Sequence, residues 1–192
     1  MSIALPSLTT EAGVMAHLLV NENMVPGLPH NPHYNEAQSL RGMRLMKVVI
    51  DNRLNHRPPA SAGYLANLFN APHASNYIDI IVSGQFAGFS RSGGTVQTSP
   101  GVTANINAIV QEANQGTPGF YFRFVQNAIA VATARVVADE FAVLSPVGSI
   151  AVLGRTYGWR TSGHGAPGPN FIAIPNGAIG GNQFFTLRSH AV

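Results

Sequence analysis

The chain has no cysteine among its 192 residues, which removes disulfides, thiolate metal sites and a cysteine nucleophile together. Papain-like wall amidases go with that nucleophile, while the redox compartment stays open. Charge is scarce too: charged residues make up 10% of the chain against 45% apolar. That balance excludes disorder driven by charge and supplies a core without staples. No apolar run is long enough for a membrane span. Lysine is nearly missing, since Lys47 is the only one and arginine supplies ten of the eleven basic residues. The formal charge of +3 suits a polyanionic partner, either a bacterial wall or nucleic acid. With no basic run and no interleaving of basic and aromatic residues, nucleic acid is not expected. The opening MSIALPSLTTEAG has no basic stretch before an apolar one, so no Sec signal is expected.

What is present is a single domain's worth of chain, residues 1–192, with 20 glycines and 13 prolines to make turns. Helical spacing of Val14, Met15, Leu18 and Leu19 predicts a first helix over 9–24, capped by Thr9 or Thr10 and stopped by Pro26 and Gly27. A longer helix is expected over 36–54 and a short one over 61–70; 75–83 reads as either helix or strand. The stretch 84–101 reads as a long Gly/Ser loop of the kind that often carries function. Helices are expected again over 103–114, capped by Thr103, and over the alanine-rich 120–143. After Pro146 the texture changes to short apolar runs, SIAVLGRTYGW, NFIAIP and NQFFTL, separated by Gly, Pro and Asn. The expected class is α+β, a helical domain with a small antiparallel sheet toward the C-terminus.

Carboxylates are rare enough to weigh one at a time, for there are eight. Glu22 lies four residues after Leu18 and seven after Met15, on the apolar side of the first helix and in its last turn. Burial and the carbonyl end of the helix both disfavour its negative charge and raise its pKa. A glutamic acid still protonated near neutral pH is what a general acid at a glycosidic oxygen needs. The bland alternative is a carboxylate turned to solvent or paired with an arginine, and spacing alone leaves it open.

Four segments, in order, carry a resemblance: AHLLVNEN at 16–23, EAQSLRGMRLMKVVIDNRL at 36–54 with Val49, Asn52 and Arg53 at its end, GQFAGFS at 84–90, and AIGGNQFFTL at 178–187. Together they resemble the cell-wall hydrolase family of the spore cortex-lytic enzymes. Glu22 falls at the family's catalytic glutamate. Two departures stand out, the insert MVPGLPHNPHYN between the first two helices and Asn182 where the family has a closing histidine. The resemblance implies a lysozyme-like domain acting on peptidoglycan, as a muramidase or a lytic transglycosylase. The latter uses one carboxyl group as acid and then base, with the muramoyl 6-hydroxyl as internal nucleophile, whereas ordinary glycosidases use two carboxylates.

Candidates for a second carboxylate are Glu36, Asp51 and Asp79; Glu36 also suits a helix start and Asp51 a local pairing. Sugars present hydroxyls and an apolar ring face, so Gln85 and Ser90 are candidate amide and hydroxyl contacts, and Tyr157 and Trp159 candidate stacking platforms. A solvated loop and ordinary sheet packing explain the same residues equally well. Seven histidines invite a metal check. His30 and His33 sit among prolines, with no H-E-x-x-H, and a serine triad has no G-x-S-x-G to anchor it. Neither metal nor cofactor is expected. Without a Sec signal, the expected setting is synthesis in the cytoplasm and action on a wall or in a target cell's periplasm. A type VI secretion effector, with a cognate immunity protein, or a phage lysin would fit that setting. The competing expectation is a non-catalytic glycan-binding module or a structural phage or secretion component.

Overall fold

The computed structural model describes residues 2–27, 33–57 and 73–189. Thr10 opens the first helix, α1 (Glu11–Glu22), by accepting from the Gly13 amide at 3.0 Å, and Glu11 complements the helix dipole in the first turn. The expected amphipathic stripe is exceeded, since Val14, Met15, Ala16, Leu18, Leu19 and Val20 are all fully buried. A helix apolar nearly all round belongs at the centre of a core. Each such Val, Leu or Met contributes about 1.5–3 kcal/mol by leaving water. Four helices pack on α1: α2 (Glu36–Asn55), α3 (Tyr77–Ile81), α4 (Pro100–Ala113) and α5 (Phe120–Thr133). Glu22 is therefore the residue on which the central helix comes out of the core.

Asn35 caps α2, which at 20 residues is about 30 Å long. Ser99, rather than the expected Thr103, caps α4, with Pro100 at the first helical position; the Thr103 hydroxyl instead donates to the Ser99 carbonyl at 3.0 Å. The expected helix over 61–70 lies outside the described residues. The segment 75–83, open between helix and strand, forms α3.

Two longer stretches also depart from expectation. The supposed loop 84–101 contains a hairpin, β1 (Phe89–Ser92) against β2 (Thr95–Thr98), in which Ser92 pairs with Thr95. Its turn is Gly93-Gly94, both at positive φ, the two-residue geometry that matches strand twist. The alanine-rich helix expected to run to 143 stops at Thr133. Lys47 donates from Nζ to the carbonyls of Val131 at 3.0 Å and Ala132 at 3.1 Å, and to that of Ala134, closing the helix end. Beyond it, Asp139 takes hydrogen bonds from Asn52, Phe141 and Thr156, and these tertiary partners outweigh the helix propensity of the alanines.

The chain closes with an antiparallel sheet in the order β3-β5-β4, from β3 (Gly158–Thr161), β4 (Phe171–Ile179) and β5 (Asn182–Leu187). The run 149–157, expected to be extended, holds only isolated bridges before β3 begins. Gly180-Gly181 turns β4 into β5, again at positive φ and with Ile179 paired to Asn182. A side chain at either glycine would collide, with the Gln38 carbonyl at 2.7 Å and with Met24 at 2.4 Å. That turn thus docks against both the start of α2 and the segment after α1. Helices before a C-terminal sheet make the fold α+β. Among the described residues no helix is long and apolar enough to cross a membrane.

Candidate active site

Where α1 ends, a cleft of about 630 Å³ opens between Glu22, the 85–87 loop, β3 and the segment 167–171. That volume is in the usual range for small-ligand sites. The last turn of α2 fixes one wall. Asn52 donates to the Thr156 carbonyl at 2.8 Å, and Arg53, beside it, donates from Nε to the Tyr157 carbonyl at 2.9 Å. These two side chains hold the backbone that runs straight into β3, and so set the position of Trp159. Arg53 is buried and lies over the Phe86 ring at 5.1 Å, and Phe86 stacks on Trp159 at 5.2 Å. Burial lowers the Arg53 pKa to about 9, which leaves it charged at neutral pH.

The Trp159 indole ends the chain beside the Glu22 carboxyl, where it favours the ionised form. A hydrogen bond comes from the helix, where Asn21 Nδ2 donates to Glu22 Oε1 at 3.0 Å. Asn21 is itself held by Asn105 of α4, whose Nδ2 donates to Asn21 Oδ1 at 3.2 Å. Burial raises the Glu22 pKa; the Asn21 hydrogen bond and the Trp159 indole oppose that rise without cancelling it. The outcome is a carboxyl group that holds its proton above the ordinary glutamate range and faces a cavity.

The remaining seven carboxylates are spent elsewhere. Glu36, the suggested second carboxylate, sits at the start of α2 and pairs with Arg123 at 2.9 Å, away from the cleft lining. Asp51 accepts from Asn55 and Tyr77, and Asp79 from Ser75 and Arg91. Glu11 accepts from the Tyr77 amide, Glu112 from Gln115, and Glu140 from Arg41. Asp139 has four donors, none longer than 2.9 Å. Glu22 is thus the one Asp or Glu side chain that lines the cleft.

Among the contact residues expected from the sequence, Gln85 and Trp159 line the cleft with Glu22. Two do not. Ser90 is exposed on β1, outside the lining. Tyr157 is 3% exposed and donates its hydroxyl to the His56 carbonyl at 2.7 Å, so it braces the end of α2 and has no face for a sugar. Trp159 differs in part, for one ring face is taken by Phe86. Sequence reasoning passed over Arg53 as a lining residue, although the Asn-Arg ending of α2 was the available signal. It also missed Arg160 and Asn170, for which no local pattern exists.

Among the described residues no three His, Asp or Glu side chains gather as a metal site, and His30 lies outside those residues. A larger groove of about 760 Å³ between α2, α5 and the 134–140 segment is lined mostly by Ala, Val and Leu. Its one carboxylate, Glu140, is already paired with Arg41, so the groove is the poorer candidate for chemistry. Comparison of the chain with protein-family models, with curated proteins and with solved structures finds no match.

Proposed function

We propose that the chain cleaves the glycan strands of peptidoglycan, with Glu22 as its general acid. One observation carries this reading: of eight side-chain carboxylates, Glu22 alone lines this cleft, and burial raises its pKa there. The cleft also supplies what a sugar needs around such an acid, an aromatic edge from Trp159, apolar faces from Pro167, Pro169 and Phe171, and amides from Gln85 and Asn170.

The solitary carboxyl favours the transglycosylase route over hydrolysis. Glu22 gives its proton to the glycosidic oxygen as the bond from that oxygen to the anomeric carbon breaks. The new carboxylate is stabilised by the Asn21 hydrogen bond and the adjacent Trp159 indole, whose effects strengthen as charge develops. Glu22 then takes the proton of the muramoyl 6-hydroxyl while that oxygen bonds to the anomeric carbon. The ring closes to a 1,6-anhydro end, Glu22 is reprotonated and no water is consumed. A two-carboxylate mechanism would need a second acidic group across the sugar, and Glu36 is committed to Arg123.

The test is digestion of purified peptidoglycan, with the soluble fragments read by mass spectrometry. Fragments one water lighter than hydrolytic products, released by wild type and not by Glu22→Gln, are the expected result. Fragments with reducing ends would reject the one-carboxylate route. Equal binding to the wall by both proteins, with no release by either, would replace the enzyme by a binding module.

A further inference from the structure

Besides Glu22, the charged residues lining the cleft are two arginines, and they differ. Arg53 is buried, with Nε on the Tyr157 carbonyl and its guanidinium over Phe86, so it belongs to the wall. Arg160, on the edge strand β3, is exposed. Its described hydrogen bond runs from Nη1 to the Gly165 carbonyl at 3.3 Å, bracing the 162–170 segment beside the cleft. No ion pair among the described residues includes Arg160, although all eight Asp and Glu side chains lie in them. With two arginines against one carboxyl group, the cleft lining is a net cation whether or not Glu22 carries its proton. A neutral saccharide is satisfied by hydroxyl, amide and aromatic contacts and gives such a cation nothing to pair with.

We infer that the cleft selects a glycan bearing a carboxylate close to the scissile bond, and that Arg160 is the residue that reads it. This rests on the glycan reading above and adds the charge of the substrate and the residue that senses it. An arginine fork suits a carboxylate in two-point contact, and being exposed it tunes affinity modestly rather than deciding it. Peptidoglycan offers that group in two places, the lactyl ether of a peptide-free muramoyl residue and the stem peptide.

Binding can be read without cleavage, because Trp159 is the only tryptophan and lines the cleft. The Glu22→Gln protein, with Arg160 intact or changed to Gln or Lys, is titrated while Trp159 fluorescence is followed. The ligands are peptide-free and peptide-bearing strands, each native or with its carboxylates converted to amides. Amidation is expected to weaken binding of one strand type about fivefold at low salt, and the affected type identifies the carboxylate. Arg160→Gln abolishes that preference and Arg160→Lys keeps part of it. Equal binding of native and amidated strands of both types, or a preference that survives Arg160→Gln, overturns the inference. A charge preference lost in Arg160→Gln, beside a wild type that releases no fragments from the wall, would uphold Arg160 as the sensor and reject the cleavage reading.

Discussion

Asp139 and Glu22 both reach the stretch that leads into and through β3, Asp139 at Thr156 and Glu22 at Trp159. Asp139 has both oxygens filled, by the Asn52 amide, the Thr156 amide and hydroxyl, and the Phe141 amide. Glu22 has the Asn21 amide and the Trp159 indole, and beyond them a cavity. Neither is fully exposed, so burial alone does not separate them; the number of donors does. Four donors satisfy a carboxylate and make it a tie between α2, the 139–141 segment and β3. One hydrogen bond, a neighbouring indole and a desolvated setting leave an acid whose pKa is raised and which has room to give its proton away.

Removing the tie should have the largest effect on stability. Asp139→Ala strands the Asn52 amide and the Thr156 N–H, and should cost about 3 kcal/mol, seen as a melting temperature lower by about 6–12 °C for a chain of this size. Unchanged melting would dissolve the contrast, because Asp139 would then be no more structural than Glu22.

The hydrogen bond at Glu22 gives a finer test. Asn21→Ala removes a hydrogen bond that holds the Glu22 pKa down, so the pH at which cleavage falls away should move upward, with Asn105 left to solvent. A downward move would mean that Asn21 does not favour the ionised form.

The smallest effect is a gain. A carboxyl whose folded pKa lies above its unfolded value adds stability that is complete at low pH and lost as pH rises through the folded pKa. Glu22→Gln should therefore raise the melting temperature slightly at neutral pH and lose that advantage below the ordinary glutamate range. A loss of stability at neutral pH would show Glu22 to be a structural partner like Asp139.

Local pattern carried part of this arrangement. The last turn of an apolar helix made Glu22 a candidate, though spacing alone left a solvent-turned carboxylate open, and caps and breakers placed α1 and α2 within a residue or two. Both hairpins were legible in principle, since Gly93-Gly94 and Gly180-Gly181 are two-residue turns, but the thin apolar content of FSRS and TVQT hid the first inside a supposed loop. What sequence could not show depends on partners more than eighty residues apart. Lys47 ends α5 and Asp139 binds Asn52, and neither contact leaves a local trace. Tyr157 was misread for the same reason, because its hydroxyl finds a carbonyl on α2. Trp159, expected as a stacking platform, lines the cleft with one ring face already against Phe86, a contact with no local trace in the sequence.

If Glu22 is the acid, it is the one carboxyl of eight whose loss stops cleavage. Each of the eight is replaced in turn by its amide, folding of each variant is verified by circular dichroism, and release of soluble fragments from peptidoglycan is measured. Glu22→Gln should lower release by about 10²–10⁴-fold, the usual share of a general acid, while folded Glu36→Gln, Asp51→Asn and Asp79→Asn stay near wild type. Release by Glu22→Gln at the wild-type rate, or an equal loss in folded Glu36→Gln, would contradict it.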